Sequence, residues 1–305
     1  MYSAAPIHLY EPPAVDERYL NRIMKVHNRK GLSKCISHRM TVGAEQTSEV
    51  FTCRFDPHDK YLASGYGDGA VRIFNTSTGK CAFTLCAHVD NHGRSDEFPV
   101  TGLRWRNTGG DFKTNNVLVA SYAHGLIKHW HATSGRCLHQ IDTNEEGQEN
   151  HIYTIDYNTD GNILAAAGKD KFIRLYDEQT KSLMCKFKDL GKYPGHSNRI
   201  FSVKFNPIDA NQIVSGGWDN TIQIYDVRQK GPVKSLYGPH ICGESIDFRT
   251  DGYTLLTGSY RQEEVLELWD LRKFQKFRDI DWNGPTSTEP LEHSLVESII
   301  YEDDN

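Results

Sequence analysis

With 305 residues, 34.7 kDa of mass and 38% apolar residues, the chain is long enough to bury a sizeable core. Its net charge of −5, with Lys, Arg, Asp and Glu interspersed throughout, leaves no basic stripe for a phosphate backbone, so no direct nucleic-acid partner is expected. No run approaches the roughly 18 apolar residues of a membrane span. The opening MYSAAPIHLY lacks the basic start and apolar stretch of a secretory leader. Seven cysteines are scattered singly without a C-x-x-C pair, which argues against a disulfide framework or a cysteine zinc site. The expectation is an intracellular protein, cytoplasmic and/or nuclear, neither secreted nor inserted in a membrane.

Residues 1–32 read as an N-terminal extension carrying a short helix. Pro12 and Pro13 precede it, Asp16 and Glu17 fall in its first turn, Arg29 and Lys30 in its last, and Gly31 follows. Tyr19, Leu20, Ile23, Met24 and Val26 would give it an apolar stripe for packing on the rest of the chain or on a partner. SKCISHRM (33–40) then reads as a strand.

From there one unit recurs: SGYGDGAVRIFN (64–75), ASYAHGLIKHWH (120–131), AAGKDKFIRLYD (166–177) and SGGWDNTIQIYD (215–226). Each has small residues and a turn at Asp68, His124, Asp170 or Asp219. An alternating run follows and ends in Phe74, Trp130, Tyr176 or Tyr225. A fifth copy, TGSYRQEEVLELWD (257–270), has two extra turn residues and ends in Trp269. The aromatics are spaced 56, 46, 49 and 44 residues apart, a period that signals a repeat architecture. Upstream of the copies lie the strand-like segments VFTCRF, VTGLRW, IYTIDY, IFSVKF and ESIDF, followed by tight turns such as NTDG and RTDG. Downstream segments such as TGKCAFTL and SGRCLHQI leave room for a fourth strand. Four short antiparallel strands cannot bury both faces alone and must stack, as propeller blades do.

The terminal pairs Tyr176-Asp177, Tyr225-Asp226 and Trp269-Asp270, the turn acids Asp68, Asp170 and Asp219, and the dipeptide Gly195-His196 resemble the WD-repeat family. The resemblance covers residues 33–305 and implies an all-β propeller of about five complete four-stranded blades plus a partial closing blade. In it, SLVESIIYEDDN (294–305) would open a sixth unit that stops at its turn, and 33–40 would supply an outer closing strand. The family's buried His, Ser/Thr, Asp and Trp network is complete in no repeat. His196, Ser215 and Asp219 meet Tyr225, while His240, Thr257 and Trp269 face a turn without aspartate. Blade stability is therefore expected to lean on apolar packing more than on buried polar networks.

Candidate sites are few. The glycines Gly65, Gly67 and Gly69 precede a strand rather than a helix and have the wrong spacing for a phosphate loop. They read as a tight turn. His129 and His131 share a strand face but lack a third metal ligand and read as ordinary surface histidines. Pairs such as Glu263-Glu264 have no base or nucleophile beside them. No metal, cofactor or catalytic residue is expected, and the chain is read as a non-enzyme. Tyr225-Asp226-Val227-Arg228 and Trp269-Asp270-Leu271-Arg272 resemble the signature of WD-repeat substrate receptors that dock on a cullin-type ubiquitin-ligase adaptor, which would make Asp226, Arg228, Asp270 and Arg272 protein-binding residues. The principal expectation is a non-catalytic interaction scaffold within an intracellular multiprotein complex, whose insertions at 86–99, 106–116 and 143–150 enlarge its loop set. The alternatives are that ligase receptor and a propeller hydrolase.

Overall fold

The computed structural model describes residues 48–85, 98–106, 116–145, 149–187, 193–229 and 231–280. The expected helix within 12–32, the strand 33–40, the segment 294–305 and parts of the three insertions lie outside the described residues. All described residues belong to one unit, Ala44–Asn305.

Within it, five four-stranded antiparallel sheets follow one another, each with its strands in chain order. The first comprises β1 (Val50–Phe55), β2 (Tyr61–Tyr66), β3 (Val71–Asn75) and β4 (Cys81–Leu85). The second comprises β5 (Val100–Trp105), β6 (Val117–Tyr122), β7 (Leu126–His131) and β8 (Arg136–Asp142). The third comprises β9 (Ile152–Tyr157), β10 (Ile163–Gly168), β11 (Ile173–Asp177) and β12 (Leu183–Lys186). In the fourth are β13 (Ile200–Phe205), β14 (Gln212–Gly217), β15 (Thr221–Asp226) and β16 (Pro232–Tyr237); in the fifth, β17 (Ile246–Phe248), β18 (Thr254–Gly258), β19 (Leu266–Asp270) and β20 (Gln275–Ile280). The inner strands β1, β5, β9, β13 and β17 pack in succession, which is the arrangement of propeller blades. Among the described residues no helix is long and apolar enough to cross a membrane.

The register explains the recurring aromatic. Phe74, Trp130, Tyr176, Tyr225 and Trp269 stand opposite Leu62, Leu118, Leu164, Ile213 and Leu255, an aromatic–aliphatic cross-strand pair in every blade. All five aromatics are at most 5% exposed. The core lies between blades: Ile73 and Leu85 of the first blade meet Val100, Leu103 and Leu118 of the second, while Val119 and Ile127 of the second meet Ile155 and Leu164 of the third. Leu175 and Phe187 meet Val203 and Ile213, and Ile222 and Leu236 meet Ile246 and Leu255. Each such side chain contributes roughly 1.5–3 kcal/mol by leaving water. The outer strands carry little of this burial, and five of the seven residues Arg136–Asp142 are exposed in an unbroken run.

The glycine-rich segment closes as a tight turn on its own chain. The Gly67 amide donates to the Glu49 carbonyl at 2.9 Å, the Gly69 amide to Tyr66 at 3.2 Å, and the Ala70 amide to the Asp68 carboxylate at 3.0 Å. Gly69, at φ 77°, occupies the left-handed region that closes the turn.

Candidate protein-interaction surfaces

The turn acids take two kinds of partner. Asp219 accepts from His196 Nδ1 at 2.8 Å, and His196 Nε2 lies 2.7 Å from Ser215 Oγ. Asp68 pairs instead with Arg72 at 2.8 Å and Asp170 with Arg174 at 2.5 Å, each arginine four residues on along the third strand. In the fifth blade Trp269 Nε1 donates to Thr257 Oγ1 at 3.1 Å, and His240 turns to Asn220 Oδ1 at 2.6 Å.

Polar networks therefore hold the blades more than their incomplete family pattern suggests, and the histidine reading needs correction. His129 is buried, not superficial, and its Nε2 lies 2.8 Å from Glu178 Oε1. Lys181 also reaches Glu178, and Arg106 stands 3.8 Å away. Burial pushes the His129 pKa down despite the carboxylate; burial pushes Glu178 up, but His129 and Lys181 outweigh it and hold it low. His131 bonds Ser134 at 2.7 Å. A carboxylate group at Glu264, Glu267 and Asp279, with ligand atoms within 4.8 Å, already holds the Lys276 ammonium at 3.3, 3.3 and 2.8 Å.

Two surfaces remain at opposite ends of the blades. One lies where the third strands end. Arg228 Nε and Nη2 donate to the two carboxylate oxygens of Asp226 at 2.9 and 2.6 Å, and Arg272 repeats the fork on Asp270 at 3.1 and 3.0 Å. The Arg228 hydrogen bonds hold Asp226 below the usual carboxylate range, and those of Arg272 do the same to Asp270. Both guanidinium side chains stay open to solvent, 70% and 62% exposed.

The other lies where chain enters the inner strands. A β-bulge sits at the second residue of four inner strands, and the bulged residues are Phe51, Thr101, Tyr153 and Phe201. A bulge breaks the alternation of a strand and re-aims a side chain, so Thr101, Tyr153 and Phe201 leave the faces that bury their neighbours Val100, Ile152 and Ile200, whereas Val50 beside Phe51 is itself exposed. Tyr153 stacks on Phe201 at 4.7 Å and 7° between planes, and Phe201 on Trp218 of the β14–β15 turn at 5.0 Å. His151 and His240 extend the row at its two ends, each at 6.4 Å. Arg199 lies over the Trp218 indole at 5.1 Å, and the indole N–H donates to Cys242 Sγ at 3.2 Å. Trp218 is 38% exposed and Phe51 53%. The sequence motifs pointed to the arginine forks; the aromatic row was missed, because its signal is an aromatic at one position of successive repeats and requires the bulge to be seen.

Comparisons with known proteins agree with this architecture. The model for "WD domain, G-beta repeat" matches residues 135–177 and 187–226. That for "Anaphase-promoting complex subunit 4 WD40 domain" matches residues 26–108. The chain is 24% identical over 284 residues to the LEC14B homolog of Prunus armeniaca, covering 84% of this chain and 55% of that protein. It is 27% identical over 236 residues to DDB1- and CUL4-associated factor 13 of Xenopus tropicalis, covering 75% and 46%. The chain thus spans about half the length of the curated relatives it matches. A chain in the crystal structure of the mitotic checkpoint complex superposes with a TM-score of 0.62 at 16% identity, covering 78% of this chain and 66% of that one, a likeness of fold.

Proposed function

Because the chain belongs to the WD-repeat family, we propose that it is a non-catalytic interaction scaffold that holds other proteins in an assembly. The observation that carries this reading is the aromatic row at the blade ends, in which half-buried Tyr153 and Phe201, placed by equivalent bulges of the β framework, stack beside Trp218, 38% exposed. Aromatic and arginine side chains are the groups that dominate protein interfaces. Cross-linking mass spectrometry on the natively purified chain tests it. The expected result is a stoichiometric protein partner cross-linked to the blades. A chain that carries no protein partner and turns over a substrate in a hydrolase panel overturns the reading.

A second reading has its own support. The paired forks Asp226–Arg228 and Asp270–Arg272 are equivalent in geometry with their arginines exposed, and a relative is named as a DDB1- and CUL4-associated factor. In this reading the chain is a substrate receptor docked on the ligase adaptor through Arg228 and Arg272. Arg228→Ala with Arg272→Ala is expected to abolish co-purification of the adaptor with the parent chain's other partners retained. Undiminished adaptor binding, or none to the parent, removes it.

A further inference from the structure

The row Tyr153, Phe201 and Trp218 is bordered by one cation whose hydrogen-bonding capacity is unused. Among the described residues the Arg199 guanidinium forms no hydrogen bond or ion pair, and it lies over the Trp218 face. A guanidinium over an indole interacts with the ring through its charge and leaves its N–H donors for other partners, and their planar fork matches a carboxylate bidentately. Three carboxylates at this end are committed elsewhere. Asp170 is held by Arg174, and Asp219 by His196. Glu244, the residue of the fifth blade equivalent to Phe201, is turned toward Arg54 and Arg104. The two groups flanking the row, His151 and His240, are imidazoles and not carboxylates.

Resting on the scaffold reading above, we propose that this end of the blades binds an extended acidic peptide segment of the partner, with a carboxylate on Arg199 and an adjacent flat apolar residue on the Phe201–Trp218 surface. The two parts act together. Stacking on an aromatic ring supplies apolar burial and geometry, and the fork selects the residue next to it by charge. Proline or phenylalanine beside glutamate or aspartate meets both requirements.

The test uses fluorescein-labelled peptides of three Glu-Pro-Phe repeats, with Gln-Pro-Phe and Glu-Pro-Ala versions, in anisotropy titrations of the full chain. The Glu-Pro-Phe peptide is expected to bind, and Gln-Pro-Phe and Glu-Pro-Ala each about tenfold more weakly, the first by loss of one charge-assisted hydrogen-bonded contact and the second by loss of aromatic burial and stacking. Arg199→Gln should weaken Glu-Pro-Phe binding about as much and leave the weaker Gln-Pro-Phe affinity unchanged. Arg199→Glu should prefer a Lys-Pro-Phe peptide, which separates charge recognition from a folding defect. Equal affinity for the Glu and Gln peptides, indifference to Arg199→Gln, tighter binding of a labelled oligo-uridylate, or no peptide binding by the parent overturns the inference. If no peptide binds while cross-links still show a stoichiometric partner on the blades, the scaffold reading stands and this recognition chemistry falls. If the partner is absent as well, both fall.

Discussion

Asp219 illustrates how one residue of a diverged repeat keeps its role after a neighbour is lost. Burial alone would raise its pKa, but hydrogen bonds from His196, Thr221 and the Ser197 amide outweigh burial and leave it below the ordinary carboxylate value. A carboxylate depressed in the folded state adds stability in full above its unfolded pKa of about 4 and loses it as pH falls through the folded value. Asp219→Asn is therefore expected to lower stability by about 1–3 kcal/mol at pH 7. Urea titrations should show the gap between parent and variant narrowing below pH 4. A constant gap across that range would assign the loss to shape rather than charge. This much was legible in advance: Gly195-His196, Ser215 and Asp219 stand at family spacing, and the network forms without tryptophan because Tyr225 fills its place against Phe187 at 4.9 Å. The pairing of Asp68 and Asp170 with arginines on the third strand was not, since a charge four residues away on a strand is as easily solvated as paired.

At the scale of the element, the bulge that opens the inner strands also dictates glycine in two blades. Gly168 and Gly217 end β10 and β14 opposite the bulges, and a Cβ there would stand 1.8 Å from the His151 carbonyl oxygen or 2.0 Å from that of Arg199. Backbone cannot step aside as a flexible side chain can. Gly217→Ala should cost about 1–3 kcal/mol and disturb the Trp218–Arg199 contact that the peptide test reads. Gly67→Ala, whose nearest neighbour is the Phe51 ring edge at 3.1 Å, should be close to neutral. Comparing urea midpoints of the two variants checks this, and equal losses would refute the role given to the bulge. The inner strands β1, β5, β9 and β13 were readable residue for residue from their alternation. β20 was not, because QKFRDI is exposed at four of six positions and its charges hide the strand.

Across the molecule, the penultimate residues of the inner strands are all charged: Arg54, Arg104, Asp156, Lys204 and Asp247. Arg104 bonds Asp156 at 2.7 Å, and Lys204 approaches Asp247 at 3.8 Å. Glu244, at the entry of the fifth blade, pairs with Arg54 of the first and with Arg104 of the second at 3.1 Å. One carboxylate thus ties the fifth blade to the first two. Burial raises the Glu244 pKa, and Arg104, Arg54 and Lys204 reverse this and hold it low. Glu244→Gln removes the charge that two arginines share and is expected to cost about 2–3 kcal/mol, whereas Glu264→Gln, half exposed, should change the urea midpoint little. The sequence by itself determined the repeat, the blade and the strands, because hydrophobic period and turn chemistry are local properties that each unit carries within its own forty-odd residues. Only the tertiary structure decided that Glu244 reaches residues 140 and 190 positions away, and that aromatics from separate blades form one row beside Arg199. Those contacts depend on how blades turn about one another, and no spacing along a single strand encodes that angle.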